Sequence, residues 1–166
     1  VTMAFGDALA VVVSSLKNFS HRDFARFHPA GALGKQLLQV GPLMYKAPNL
    51  PFVQPYETFE NFIVTITEKK MGIGIVIDAN NKLLGIITDG DIRRACKQGP
   101  RVFNIPAIEI MTKNPKTIYN DKLASSALNI METHSITSLV VTNKNQEPIG
   151  IIHIHEIIKA GIKSLL

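Results

Sequence analysis

Thr88 and Asp91, near the middle of the chain, have the side chains and the spacing of a small anion- or sugar-binding site. Thr88 ends an apolar, β-rich run, and Asp91 begins a helical pattern three residues later. A hydroxyl at such a point can bind a phosphate oxygen together with helix N-terminal amides, and a carboxylate can bind two ribose hydroxyls. The same spacing also suits a helix cap, in which Thr88 or Asp89 accepts backbone N–H groups and Asp91 complements the helix dipole. The residues alone are compatible with both interpretations.

Two arginines follow directly on the same predicted helix. Arg93 or Arg94 can bind a phosphate or carboxylate through its guanidinium, while the other lies on the solvated face. Because Asp91 stands at a helix start, we expect it at the surface. Its replacement by Ala should then weaken ligand binding and leave the fold intact.

The pattern around Thr88 recurs about 65 residues later with different side chains. His153 takes the place of Thr88, and Glu156 takes the place of Asp91. The two sites cannot therefore be equal, and we expect the one with Thr88 and Asp91 to bind more tightly. His153 and His155 share one face of a strand, but no third ligand is evident, so we expect no metal.

The recurrence extends over two copies of one structural unit. Gly85–Ile87 aligns with Gly150–Ile152, and Leu43-Met44 with Ile110-Met111. Each copy has a short apolar run, a helical pattern, two β-rich runs joined by an Asn-rich connection, and a closing helix. The closing helices are predicted over 91–98 and 155–160. The fold class is therefore α/β, and the two copies should pack together through their sheets, because neither has enough core alone.

We divide the chain into residues 1–40, a first copy at 41–100 and a second copy at 107–166, with the connector within 99–106. Residues 3–16 form an apolar helical pattern that must be buried against a partner. His28-Pro29-Ala30-Gly31-Ala32-Leu33-Gly34 is a turn-forming stretch.

Composition excludes several classes of protein. Of the 166 residues, 46% are hydrophobic and 19% charged, which is typical of a globular chain. The longest apolar run, 8–13, is far shorter than the roughly 20 residues that span a bilayer. The net charge of +5 comes without a dense basic run or any Trp, so we expect no nucleic-acid partner. The single cysteine, Cys96, favours a reducing, cytoplasmic compartment and is expected to be a small core residue.

The segment Gly-Ile-Ile-Thr-Asp-Gly-Asp-Ile at 85–92, within two copies, resembles CBS domains, which bind adenine nucleotides and related ligands. The N-terminal stretches at 3–10 and 27–34 resemble the end of a sugar isomerase (SIS) domain. The combination is similar to the D-arabinose 5-phosphate isomerase family, whose members interconvert ribulose 5-phosphate and arabinose 5-phosphate for synthesis of the lipopolysaccharide sugar Kdo. The resemblance implies a CBS pair after a remnant of the SIS domain.

The resemblance also implies roles for particular residues. His28 matches the family's catalytic histidine, and most of the isomerase pocket would precede Val1, so we expect the chain itself to be inactive. Thr88, Asp91, one arginine, His153 and Glu156 would bind a nucleotide-type effector, with the CMP-sugar CMP-Kdo, AMP and ATP as candidates. The alternative is a structural CBS pair that stabilises the oligomer and binds nothing. No cofactor is implied, and the expected assembly is a dimer of CBS pairs, or a tetramer of the complete enzyme.

Overall fold

The computed structural model describes residues 2–18, 35 and 37–162, and these belong to two compact units, 1–38 and 39–166. In the first unit, helix α1 (Thr2–Leu16) is present where the apolar pattern predicts a helix. Large apolar side chains of α1, such as Phe5 and Leu16, are exposed. The stretch 28–34, including His28, lies outside the described residues, and the SIS remnant stays a prediction.

The second unit contains the two predicted copies. The first consists of β1 (Phe52–Val53), α3 (Phe59–Lys69), β2 (Ile73–Ile77), β3 (Leu83–Thr88) and α4 (Asp89–Cys96). The second consists of β5 (Thr117–Tyr119), α6 (Ala124–Thr133), β6 (Ser138–Thr142), β7 (Pro148–His153) and α7 (Ile154–Lys159). A short helix α2 (Val40–Leu43) precedes the first copy, and a 3-10 helix (Gly99–Asn104), α5 (Ala107–Ile110) and β4 (Thr112–Lys113) precede the second. The strand–helix–strand–strand–helix order is confirmed in both.

Each copy forms its own small sheet. In the first, β1 pairs parallel with β2, and β2 pairs antiparallel with β3. In the second, β5, β6 and β7 repeat this arrangement. The connections between the paired strands are hairpins: Asp78 Oδ1 accepts from the backbone N–H groups of Asn80 and Lys82, and Asn143 Oδ1 accepts from those of Asn145 and Glu147. Such side-chain-to-backbone bonds explain why Asp and Asn begin these turns.

The segments that lead into the two copies are exchanged between the sheets. Residues 107–113 lead into the second copy, yet β4 pairs with β3 of the first. Residues 39–45 lead into the first copy, yet Tyr45 pairs with Ile151 of the second. We call these the leading segments. Each crosses a glycine, Gly85 or Gly150, where an added Cβ would lie 2.7 or 2.8 Å from a backbone oxygen of the leading segment.

One buried cluster joins the copies through their sheets, as expected. Its buried members are Leu50, Ile73, Ile75, Ile77, Val140 and Ile151. A second cluster packs α3 and α4 against the other face of the first sheet. Each fully buried aliphatic side chain of this kind contributes roughly 1.5–3 kcal/mol to folding, so the two copies stabilise each other.

Cys96 does not belong to this core. The expectation that it is a small buried residue is wrong, since its side chain is exposed. Helix α4 buries Asp91 and Ala95, and Cys96 is the residue that follows them, at the end of the helix.

Candidate functional site

Asp91 is the centre of a hydrogen-bonded cluster at the start of α4. Its side chain is only 4% exposed. Oδ2 accepts from the backbone N–H and the hydroxyl of Thr88, at 2.8 and 2.6 Å. Oδ1 accepts from Arg94 Nη2 at 2.5 Å and from the Thr112 hydroxyl at 2.9 Å. The expectation of a surface position for Asp91 is therefore wrong, because the leading segment of the second copy covers the helix start.

The electrostatics of Asp91 reflect two opposing effects. Burial disfavours the charged carboxylate and acts to raise its pKa, while the hydrogen bonds from Thr88, Thr112 and Arg94 act to lower it. The hydrogen bonds outweigh burial, and the pKa of Asp91 lies below its ordinary value. Asp91 is therefore held as a charged, fully bonded group.

Thr88 and Asp91 form a reciprocal capping box. Thr88 is the N-cap of α4: its hydroxyl accepts from the Asp91 N–H, and the Asp91 carboxylate accepts from the Thr88 N–H. The capping interpretation of these two residues is thus confirmed, and the ligand-binding interpretation stays a prediction. Arg94 is paired with Asp91, while Arg93 is exposed on the same helix.

Glu156 is the centre of a second cluster with the same plan. Its Oε1 accepts from the Tyr45 hydroxyl at 2.9 Å and from Lys159 Nζ at 2.8 Å. Tyr45 and Thr112 are equivalent members of the two leading segments, and Lys159 stands where Arg94 stands in the first cluster. The hydrogen bonds from Lys159 and Tyr45 hold the pKa of Glu156 below its ordinary value, and the bond to Glu156 raises the pKa of Tyr45.

His153 replaces Thr88 as the N-cap of α7. Its Nδ1 accepts from the His155 backbone N–H at 3.1 Å, and the two imidazole rings meet edge to face with centroids 4.7 Å apart. Burial lowers the pKa of His153, and the neighbouring His155 lowers it further. An imidazole that accepts at Nδ1 in its neutral form carries its proton on Nε2, which leaves that atom as a donor.

Two clefts lie between the copies at pseudo-twofold-related positions. The first cleft has a volume of about 280 Å³ and includes Thr88, Asp89 and Lys116 together with residues 135–138. Neither Asp91 nor either arginine is among the described residues that line it; Asp91 and Arg94 line a separate hollow beside Glu109. The first cleft therefore contains Thr88 but not the carboxylate or the arginines that the sequence groups with it.

The second cleft is larger, at about 570 Å³, which is within the range of roughly 300–1,000 Å³ for small-molecule sites. It brings His153 and Glu156 together, as the sequence predicts. The other charged or titratable side chains that line it are Tyr45, Lys69, Lys70, Asp89, His155 and Lys159. Three lysines and two carboxylates line this cleft, which gives it a net positive charge.

Tyr45, Lys70 and Thr112 are not among the site residues that the sequence predicts. A usable indication was present: Tyr45 and Thr112 each follow the methionine of the repeated Leu43-Met44 and Ile110-Met111 pairs. The described part of the chain contains no group of three or more His, Cys, Asp or Glu residues that could hold a metal ion. It also contains no helix with the length and apolar character needed to cross a membrane.

Comparison with known families matches this architecture to the CBS domain, at residues 40–98 and 107–163. The chain belongs to the CBS-domain family, as a tandem pair. Solved structures agree on the fold. CBSX2 in complex with AMP covers 74% of this chain and 95% of its own at 22% identity, with a TM-score of 0.66. The CBS pair of protein MJ0100 in complex with 5′-methylthioadenosine and S-adenosyl-L-methionine gives the same TM-score and identity, covering 74% of this chain and 94% of its own.

Curated relatives of this chain include proteins named as arabinose 5-phosphate isomerases. Arabinose 5-phosphate isomerase KdsD of Francisella tularensis is 41% identical over 163 residues, or 98% of this chain and 50% of that protein. A probable arabinose 5-phosphate isomerase of Haemophilus influenzae is 42% identical over 154 residues, or 92% of this chain and 45% of that protein. The chain spans about half the length of these relatives.

Proposed function

We propose that this CBS pair is the regulatory part of an arabinose 5-phosphate isomerase and senses a nucleotide-type effector. The observation that carries the proposal is the second cleft, a cavity of about 570 Å³ between the copies with three lysines on its walls. Two further findings support it: the match of 98% of this chain to half of a protein named as this isomerase, and the adenine nucleotide-like ligands in two solved CBS pairs of the same fold.

The second cleft offers a suitable partner for each part of such an effector. Lys70 and Lys159 provide ammonium groups for a phosphate, and His153 provides an N–H donor beside them. The Glu156 carboxylate can accept from ribose hydroxyls, while Met71 and Ile151 offer apolar contact. CMP-Kdo carries both a phosphate and a carboxylate, and AMP and ATP carry phosphates alone, so all three suit a site with positive balance.

The first cleft would bind the effector differently. Thr88 and Lys116 line it and can reach a phosphate. Asp91 can bind ribose hydroxyls only by giving up one of its four hydrogen bonds. Arg94 is paired with Asp91, and neither Arg93 nor Arg94 lines this cleft. We therefore place the effector site in the second cleft, and this proposal differs from the sequence-based prediction of a tighter site at Thr88 and Asp91.

In an isomerase of the length of these relatives, the sensed ligand would regulate conversion of ribulose 5-phosphate to arabinose 5-phosphate. His28 would act there as a general acid or base, so His28→Ala should lower kcat roughly 10²-fold or more. The 166-residue chain alone should show no such conversion. Assembly as a dimer of CBS pairs, or as a tetramer of the complete enzyme, is part of the same proposal.

One observation favours the alternative, a purely structural CBS pair. The Asp91 carboxylate is saturated by groups of the chain itself, and it ties α4 to the leading segment of the second copy. These hydrogen bonds give Asp91 a structural role that requires no ligand. The alternative requires that neither cleft binds a small molecule.

A thermal-shift screen of the chain with AMP, ATP, CMP and CMP-Kdo separates the two possibilities. A ligand that binds only the native state stabilises it by RT ln(1 + [L]/Kd), or roughly 2.7 kcal/mol at about 100 times Kd. We expect a concentration-dependent rise in Tm with at least one of the four. Unchanged Tm values with all four, up to millimolar concentration, would favour the structural alternative.

A further inference from the structure

The leading segment of the first copy is held by the second copy along its length. The Val40 and Gly41 N–H groups donate to the backbone oxygens of Lys122 and Asn120, each at 2.9 Å. Tyr45 and Ile151 exchange two backbone hydrogen bonds, at 2.8 and 3.1 Å. This segment follows directly on the N-terminal unit, which ends at residue 38.

The side chain at the end of this segment is also a wall of the second cleft. The Tyr45 hydroxyl bonds Glu156, and Lys159 bonds the same carboxylate oxygen. All three side chains line the cleft, and Lys159 is largely exposed. Exposed ion pairs of this kind contribute little to stability, so an incoming anion can compete with Glu156 for both donors.

We propose that an anionic group, such as a phosphate, in the second cleft takes over the hydrogen bonds that Lys159 and Tyr45 give to Glu156. Occupancy of the cleft is then passed to residues 40–45. The inference rests on the proposed effector function and adds the route by which the effector is sensed. The first cleft has no equivalent arrangement, because neither the Thr112 hydroxyl nor the Asp91 carboxylate lines it.

Hydrogen–deuterium exchange of the chain tests the proposal, with AMP, ATP and CMP-Kdo as probes and adenosine as the uncharged comparison. In the wild type, we expect a phosphate-bearing probe that binds to speed exchange of the Tyr45 and Ile151 amides by about threefold or more. Adenosine should leave them unchanged. Tyr45→Phe keeps the ring and removes the hydroxyl donor. In this variant the amides of residues 45 and 151 should already exchange fast without a probe, and adding the probe should not change their exchange.

Thr112→Val is the matched control, because it removes the equivalent hydroxyl from the other cluster. In this variant, amide exchange at residues 40–45 should respond to the probe as it does in the wild type. An equal response in Tyr45→Phe and wild type, or a bound probe with no change at residues 40–45, would overturn this inference and leave the effector function standing. Failure of every probe to bind would contradict the effector function itself, and this inference with it.

Discussion

The Tyr45 hydroxyl donates a 2.9 Å hydrogen bond to Glu156, joining two residues 111 positions apart in the chain. The same relationship exists between Thr112 and Asp91, also at 2.9 Å. In each case the hydroxyl belongs to the leading segment of one copy and the carboxylate to the closing helix of the other. The two copies therefore share a pair of equivalent acidic clusters, one around the buried Asp91 and one open to the second cleft.

Removing the charge of Asp91 should destabilise the protein at neutral pH. Asp91→Asn weakens several hydrogen bonds to a buried charged group, and bonds of this kind contribute about 1.5–3 kcal/mol. The comparison is Asp89→Asn, at the exposed first position of the same helix. Urea unfolding at pH 7 should show a clear loss for Asp91→Asn and a much smaller one for Asp89→Asn. Equal losses would contradict a special role for Asp91.

The contribution of Asp91 to the free energy of unfolding should depend on pH. The native pKa of Asp91 lies below its ordinary value of 3.8, so the unfolded state takes up the proton first as the pH falls. The stability that Asp91 provides is present above the ordinary value and disappears as the pH falls through the native one. The difference in unfolding free energy between wild type and Asp91→Asn should shrink in acid. A constant difference from pH 7 into acid would contradict the lowered pKa.

Gly150→Ala should disturb the leading segment of the first copy. A Cβ at this position would lie 2.6 Å from Met44 Sδ and 2.8 Å from the Tyr45 backbone oxygen. Overpacking of this kind costs typically 1–3 kcal/mol. Gly90→Ala is the control, because a Cβ there meets its neighbours at 3.5 Å or more. If chemical unfolding gives both variants the same free energy of unfolding as wild type, the close approach of the leading segment to Gly150 is contradicted.

His153 should titrate below the ordinary histidine value of 6.5, because burial and His155 both disfavour its charged form. Two-dimensional NMR of the imidazole resonances measures this midpoint directly. The neutral ring stabilises the native state at pH values above the ordinary pKa, and that contribution falls away as the pH drops through the native pKa. A midpoint at or above 6.5 would contradict the environment described for His153.

Local patterns were sufficient to predict the two copies, their order of elements and their hairpins, because these depend on residues near one another in the chain. The exchange of leading segments was not predictable in this way. The pairing of Tyr45 with Ile151 depends on the packing of two complete sheets, and no periodicity encodes it. The burial of Asp91 follows from the same exchange, since β4 covers the helix start. His153 and Glu156, which the sequence grouped from the repeat, both line the second cleft, and their role in binding stays a prediction. The sequence could not supply Lys70, because this residue reaches the cleft from the other copy.

Calorimetric titration of two cleft variants tests the central claim most directly. Lys70→Asn removes a charge from the second cleft at a position with φ of 53°, which Asn adopts readily, and Lys116→Asn removes a charge from the first. For the nucleotide that binds wild type best among AMP, ATP, CMP and CMP-Kdo, we predict an affinity about tenfold weaker in Lys70→Asn, or about 1.4 kcal/mol. Lys116→Asn should bind nearly as wild type does. No heat of binding with any of the four nucleotides, or a loss confined to Lys116→Asn, would contradict an effector site in the second cleft.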